Sequence, residues 1–342
     1  MRSPFILTLV LLCCFPMKAQ NKFTLEDVTP GGKTYEQFVP KNLAQVHWNG
    51  SMLCYVENDS LIGISFPSNK KKLLFSLQQL NNALKVIGVD QQRKIPSISF
   101  YDREKYYFQL KDKVFVYDLK QLQVILQIKL PKGSKNFDFC VENKCFACTS
   151  GRDLYVTHAD SMRRINPKSE KNIVYGQAAH RNEFGIQRGT FWSPKGRYLA
   201  FYRTDESQIV DYEQVDSSKK TPQKKIIKYP FAGTATDKVS IGIYDTQKDT
   251  VTYLPTDNTI DRYFTNLAWT PDERELLVAE LNREQDTCEI KAYNIKNRKV
   301  RTLFTETSIT YVEPEQPPFF IDNHRFIWQS ERTGHNHLYR YH

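Results

Sequence analysis

The spacing of the cysteines in this sequence could allow a disulfide, a zinc site or redox chemistry. Five of the seven cysteines lie beyond residue 20, namely Cys54, Cys140, Cys145, Cys148 and Cys288. Cys140 and Cys145 flank four residues typical of a hairpin turn, which would place the two thiols opposite each other for a disulfide. Cys145 and Cys148 have the spacing of zinc and redox sites, but strand-like sequence between them points their sulfurs to opposite faces. We favour buried core cysteines, with at least one thiol unpaired, and keep the disulfide and the metal site as alternatives.

The first twenty residues have the pattern of a secretory signal peptide. A short basic start precedes an eleven-residue apolar stretch at positions 5–15, which is too short to span a bilayer. Ala19 and Gln20 offer the cleavage site. A lipoprotein is the less favoured alternative, because Leu12 is not the small residue expected before a lipidated Cys13. We therefore expect an exported protein, either periplasmic or secreted.

Composition describes a water-soluble folded chain. Of 342 residues, 40% are hydrophobic and 25% charged, and the mean hydropathy of -0.55 excludes a polytopic membrane protein. No segment after the signal peptide approaches the length of a membrane span. The net charge of +10 is spread over short runs beside turns rather than gathered into a stripe. We therefore expect no nucleic-acid partner.

Short strands follow one another along the chain. Apolar and polar residues alternate with period two, and long amphipathic helices are absent; short helix remains open only at 22–40 and 76–90. One recurring unit reads aromatic, turn, strand, as in residues 192–201 and 269–279. A second recurring unit ends in Tyr followed by Asp or Asn, as in Tyr117-Asp118, Tyr244-Asp245 and Tyr293-Asn294.

A period of 40 to 50 residues built from short strands is typical of a β-propeller, whose blades stack because none can bury both faces alone. We therefore predict an all-β fold of four-stranded blades over residues 21–342. Six blades begin near residues 44, 95, 137, 188, 265 and 318. Residues 204–237 are polar and Lys-rich and form a long insertion. The sixth unit stops at His342 within a blade, which predicts an incomplete ring.

Several motifs, in one order along the chain, resemble the N-terminal propeller of bacterial dipeptidyl peptidase IV. They are residues 180–186 (HRNEFGI), 189–196 (GTFWSPKG), 201–207 (FYRTDES), 228–233 (KYPFAG), 281–285 (LNREQ) and 311–314 (YVEP). The resemblance covers essentially residues 22–342. It implies an exported serine exopeptidase that releases X-Pro or X-Ala dipeptides from N-termini. Its members pair an eight-bladed propeller, which gates access, with an α/β-hydrolase domain.

The resemblance also implies site residues. Glu183 matches an acid that binds the free α-ammonium of the substrate, and a carboxylate facing a cation would distinguish a free N-terminus from an internal peptide. Asn182 stands where a second acid is often found; it can accept a hydrogen bond but adds no charge, so ammonium binding should be weaker. The family's substrate-contacting propeller arginine has no assignable position here. The 204–237 insertion would reach a second subunit, which implies a homodimer.

No catalytic triad is expected within these 342 residues. The nearest approach to a Gly-x-Ser-x-Gly elbow is Gly63-Ile64-Ser65-Phe66-Pro67, where proline replaces the required glycine and strand sequence lies on both sides. We also expect no cofactor and no metal. The favoured hypothesis is the propeller part of a dipeptidyl peptidase, truncated before its hydrolase and inactive alone. The alternative is a stand-alone propeller that binds peptides or another protein.

Overall fold

The computed structural model describes residues 22–39, 43–158, 161–168, 170–180, 183–218, 221–257 and 259–342. The expected signal peptide and Asn182 lie outside these residues. By its internal contacts the chain divides into one unit ending at Lys72 and a second beginning at Leu73. The two units are described separately below.

The first unit holds two short helices and most of one sheet. The helices are α1 (Leu25–Val28) and α2 (Tyr35–Phe38), and the strands are β1 (Ala44–Asn49), β2 (Met52–Glu57), β3 (Ser60–Ser65) and the start of β4 (Lys70–Ser76). Neighbouring strands in the sheet follow chain order. Asn58 and Asp59 form the two-residue turn between β2 and β3, with φ of 45° and 56°. Asn and Asp tolerate this left-handed conformation, which matches the twist of a tight hairpin.

The second unit begins with the end of β4, followed by α3 (Leu77–Val86). Its described residues contain five further blade sheets and one separate two-stranded ribbon. The second sheet is β5 (Ile98–Phe100), β6 (Lys105–Leu110), β7 (Lys113–Asp118) and β8 (Gln123–Lys129). The third is β9 (Lys135–Cys140), β10 (Cys145–Ser150), β11 (Asp153–His158) and β12 (Ser161–Arg164). Both are antiparallel, with each strand beside its neighbour in sequence.

The fourth sheet is the largest. It contains β13 (Ile173–Tyr175), β14 (Thr190–Trp192), β15 (Tyr198–Asp205), β18 (Lys238–Asp245) and β19 (Thr250–Tyr253). Between β15 and β18 the chain leaves the sheet and forms a separate two-stranded ribbon, β16 (Asp211–Asp216) and β17 (Gln223–Lys228). The ribbon falls within the polar insertion expected at 204–237.

Two sheets complete the chain. The fifth is β20 (Arg262–Trp269), β21 (Glu275–Asn282), β22 (Thr287–Asn294) and β23 (Val300–Thr307), in that order. The sixth is β24 (Phe319–Phe320), β25 (Phe326–Ser330) and β26 (His337–Tyr341). Among the described residues, these sheets agree in number with the six predicted blades. The fourth sheet begins earlier than predicted, at Ile173, and the predicted start near 188 falls at its second strand, β14.

Within the second unit, the third to sixth sheets pack face to face, as the alternation of side chains along each strand requires. In β15, Leu199 and Phe201 belong to a buried cluster with the third sheet, whereas Ala200 and Tyr202 belong to a cluster with the fifth. In β21, Leu276 contributes to the cluster with the fourth sheet and Leu277 to the cluster with the sixth. Successive side chains on a strand point to opposite faces, so the fourth sheet packs against the third and the fifth, and the fifth packs against the fourth and the sixth. This confirms the prediction of an all-β fold of propeller blades.

The recurring Tyr-Asp and Tyr-Asn pairs have a structural explanation. Each acid or amide closes the turn after the third strand of its blade: Asp118 accepts hydrogen bonds from the backbone N–H groups of residues 120 and 121, and Asp245 from those of 247 and 248. Asn294 does the same for 296 and 297. Short Asp and Asn side chains satisfy turn N–H groups in this way, which explains why the motif recurs.

The aromatic-turn-strand units join neighbouring blades. The Trp269 indole N–H donates to the carbonyl of Phe191 at 2.9 Å. The buried Glu273 carboxylate accepts hydrogen bonds from the Ser193 hydroxyl and from the Lys195 backbone N–H. The same turn in two successive blades therefore supplies both sides of one contact.

Candidate functional site

Glu183 lies in the connection between β13 and β14 of the fourth blade. Its backbone N–H donates to the carbonyl of His180 at 3.0 Å, and the N–H of Ile186 donates to the carbonyl of Glu183 at 3.0 Å. His180, Phe184 and Ile186 are buried, whereas Glu183 is exposed. The segment thus turns twice, buries its apolar residues and presents the carboxylate to solvent.

Contacts with β20, the first strand of the fifth blade, hold this turn in place. The Phe264 backbone N–H donates to the His180 imidazole Nε2 at 3.0 Å, and the Thr265 hydroxyl donates to the carbonyl of Phe184 at 3.1 Å. The Phe184 ring lies 5.0 Å from that of Tyr263. Three consecutive residues of β20 therefore contact the Glu183 turn, which holds its backbone in one conformation.

Gly185 is required by a close approach of two backbone segments. It has a φ of 70°, and a Cβ placed there would lie 2.1 Å from the carbonyl oxygen of Glu315. No side chain fits at that distance, and only glycine adopts this φ without strain. Gly185 therefore packs directly against the backbone of Glu315, in the segment that leads to the sixth blade.

His180 is neutral in the folded protein. Burial lowers the pKa of its imidazole from 6.5 to about 4, and the nearby Asp237 carboxylate only partly opposes this effect. Because Nε2 accepts the Phe264 N–H, the ring proton resides on Nδ1. Nδ1 is buried and has no hydrogen-bond partner among the described residues. His180 therefore acts as a hydrogen-bond acceptor that supports the turn from inside.

A cavity of about 380 Å³ begins two residues after Glu183. Residues 185–188 line one side, and Tyr202 and Asn266 from the fourth and fifth blades line another. The guanidinium of the exposed Arg188 lies 5.0 Å from the centre of the Phe191 ring. The cavity is therefore lined by apolar side chains, by the amides of Gln187 and Asn266 and by Arg188, and Glu183 is not among the lining residues.

Sequence reasoning named Glu183 but not the residues that hold it. His180 and Thr265 carried no role in the sequence, because their partners, Phe264 and Phe184, lie more than 80 positions away along the chain. The conformation of His180 (φ of 50°) gives a local structural signal, since a non-glycine residue in this region is uncommon. Asn182, the weaker predicted partner, falls outside the described residues.

The remaining sequence candidates show no active-site arrangement. Ser65 is the last residue of β3 rather than the tip of a strand-turn-helix elbow. All five described cysteines are free thiols, and four of them are buried. Within the described ranges, no three His, Cys, Asp or Glu side chains gather as metal ligands would. Nor is any described helix long and apolar enough to cross a bilayer.

The stacked sheets define a β-propeller protein, and comparison with known families identifies which one. The family model described as the dipeptidyl peptidase IV (DPP IV) N-terminal region matches residues 91–342. The chain therefore belongs to this family.

Solved structures and curated relatives agree with the family match. A Bacteroides ovatus protein described as a dipeptidyl aminopeptidase IV is 35% identical, with a TM-score of 0.82 over 94% of this chain and 45% of its own. Porphyromonas gingivalis dipeptidyl peptidase 4 shares the fold, with 20% identity and a TM-score of 0.71 over 93% of this chain and 47% of its own. Dipeptidyl peptidase 4 of Felis catus is 25% identical over 255 residues, which are 66% of this chain. The chain spans 33% of the cat protein and 21% of a fungal relative from Phaeosphaeria nodorum.

Proposed function

We propose that this chain is the propeller part of an exported dipeptidyl peptidase IV-like serine exopeptidase, and that it recognises the free N-terminus of peptide substrates. The propeller gates access to the reaction, and cleavage after X-Pro or X-Ala belongs to a hydrolase module outside these 342 residues. The apolar stretch near the N-terminus supports export to the periplasm or beyond the cell.

The observation that carries this proposal is the setting of Glu183. Its carboxylate is exposed, yet its backbone is fixed by contacts with β20 on one side and by the Glu315 carbonyl beside Gly185 on the other. A charged side chain on a constrained backbone turn is well suited to meet a ligand, because little main-chain freedom is lost on binding. The cation that it would attract is the α-ammonium of a peptide, in keeping with the dipeptide-releasing enzymes whose motifs this chain resembles.

The test compares two peptides that differ only at the N-terminus. A fluorescently labelled Ala-Pro peptide with a free amine should bind the wild-type chain about fivefold more tightly than its N-acetyl derivative, the effect of one unscreened charge pair in water. Glu183→Gln should abolish the preference. Glu142→Gln, which removes a similarly exposed carboxylate from a turn in the third blade, should retain it. Asn182→Asp should increase the preference by adding a second charge.

A preference for the free amine that survives Glu183→Gln would refute the assignment. Cleavage of Gly-Pro or Ala-Pro chromogenic substrates by the 342-residue chain alone would refute the division of labour between recognition and cleavage.

We also propose that the β16–β17 ribbon contributes to a homodimer. Its exposed apolar residues include Val215 and Ile226, at 58% and 64% exposure. Tyr212 of the ribbon packs with Tyr229 and Phe231, which directly follow it in sequence, and the three form a partly exposed aromatic group. Apolar surface on a projecting two-stranded ribbon favours contact with another protein surface.

A further inference from the structure

Two thiols face each other at the end of one hairpin in the third blade. Cys140 is the last residue of β9, Cys145 is the first of β10, and the two are paired directly across the antiparallel strands. Directly opposed residues in such a ladder have Cα atoms about 4.5–5.5 Å apart and side chains on the same face. Disulfides span Cα separations of about 4.4–6.8 Å. The register therefore satisfies the backbone requirement for a disulfide.

The sulfur contacts show that both side chains point toward the same turn. The Cys145 thiol donates to the carbonyl of Asn143 at 3.6 Å. Burial raises the pKa of the Cys140 thiol, and the backbone N–H groups of Asn143 and Glu142 partly oppose this effect, so the Cys140 sulfur also lies toward this turn. Both sulfurs thus face the four-residue turn that joins β9 and β10.

Cys148, three positions after Cys145, is not part of this pair. Its thiol lies 3.7 Å from the Ser134 hydroxyl, and its side chain belongs to the buried cluster with Phe146. An offset of three on a strand places the two cysteines on opposite faces of the sheet. Cys140 therefore has Cys145 as its partner and not Cys148.

We infer that Cys140 and Cys145 are a site of reversible disulfide formation, driven by exchange with a small-molecule disulfide. Cys145 is only partly buried, so its thiolate attacks the external disulfide and forms a mixed disulfide, releasing one thiol. The buried Cys140 thiolate then attacks the Cys145 sulfur and displaces the second thiol. Two protein thiols lose two electrons and two protons, and one external disulfide becomes two thiols.

The bond would close at a contact between blades. A Cβ added at Gly196, in the turn before β15 of the fourth blade, would lie 2.7 Å from the Cys140 sulfur. The Asn143 side-chain amide donates to the carbonyl of the same glycine. Oxidation would therefore fix the hairpin end that contacts the neighbouring blade. Burial raises the pKa of both thiols, so exchange should accelerate as the pH rises above neutrality.

The inference does not depend on the proposed function and can be tested without any peptide ligand. The folded protein is incubated with oxidised glutathione, blocked with an alkylating agent and digested with trypsin, which cleaves after Lys144, between the two cysteines. Peptides 136–144 and 145–152 should then remain joined, with the alkyl group on Cys148 alone. Their mass should be 2 Da below the sum of the two peptides carrying that one group, and they should separate on reduction. Cys148→Ala should preserve the joined species and Cys145→Ala should eliminate it.

Fragmentation of the joined wild-type peptides identifies which cysteine is bonded, even if a variant fails to fold. A bond from Cys140 to Cys145 is the expected result. Two separate alkylated peptides after oxidation, or a bond from Cys140 to Cys148, would overturn the inference.

Discussion

Acidification should weaken the support beneath the Glu183 turn through His180. The folded protein holds the pKa of this imidazole at about 4, whereas the ring in the unfolded chain has its ordinary value near 6.5. Between these values the unfolded chain binds a proton that the folded protein does not. The stabilisation is therefore fully present above about pH 6.5 and decreases as the pH falls toward 4. The difference corresponds to about 3 kcal/mol in the free energy of unfolding.

Replacing His180 by Gln provides the matched control. The Gln side-chain oxygen can take the position of Nε2 and accept the Phe264 N–H, but it does not titrate in this range. Urea unfolding followed by tryptophan fluorescence gives the free energy of unfolding of both proteins at pH 7 and pH 4. The wild-type protein should lose about 3 kcal/mol more than His180→Gln over this interval.

Parallel pH profiles for the two proteins would refute the assignment of a neutral, buried His180. A second measurement does not require the variant. The His180 ring resonance in the folded wild-type protein should not titrate above about pH 5. A midpoint near 6.5 would show that the imidazole is solvated and does not accept the Phe264 hydrogen bond.

Two further perturbations test the last blade and the ribbon. Glu306 is buried and accepts hydrogen bonds from the Trp328 indole at 3.0 Å and from the Arg332 guanidinium at 2.6 Å. Measured by urea unfolding, Glu306→Ala should lower the free energy of unfolding by about 2–4 kcal/mol, and Glu306→Gln by less than half of that. Equal losses in the two variants would contradict the role of the indole hydrogen bond. Lysine at both Val215 and Ile226 should convert the proposed dimer to a monomer in analytical ultracentrifugation, without changing the melting temperature. An unchanged sedimentation coefficient would exclude the ribbon from the dimer contact.

The blades could be predicted because their determinants are local. Alternation along residues 198–202 assigns Leu199 and Tyr202 to opposite faces, and the Tyr244-Asp245 pair marks a turn through hydrogen bonds that span three residues. Short helix was only left open at 76–90. The structure has a helix at Leu77–Val86, whose cap is also local, because Ser76 accepts the Gln79 N–H at 3.3 Å. Each of these signals lies within a few residues of the structure it specifies.

Of the candidate site, only one described residue, Glu183, could be predicted from the sequence. Glu183 could be named from a motif, but the atom that supports it is the Phe264 amide, 84 positions away from His180. The pairing of Cys140 with Cys145 was partly predictable, because the four-residue turn between them is visible in the sequence. Only the register of β9 and β10 in the structure shows that the two residues lie directly opposite each other. The ribbon was expected as a polar insertion, whereas its strands also carry exposed apolar side chains such as Ile226. Long-range partners leave no periodic trace in a sequence, so their geometry required the structure.

The hydrogen bonds that cross from Trp269 to Phe191 and from Glu273 to Ser193 have a dynamic consequence. Opening either sheet on its own would strand a buried indole N–H or a buried carboxylate without a partner, which makes independent opening unfavourable. The fourth and fifth blades should therefore exchange their slowest backbone amides with deuterium as one cooperative block. Glu183 belongs to one of these blades, and the backbone around it contacts the other. The proposed recognition of a peptide N-terminus would therefore require both blades to stay folded.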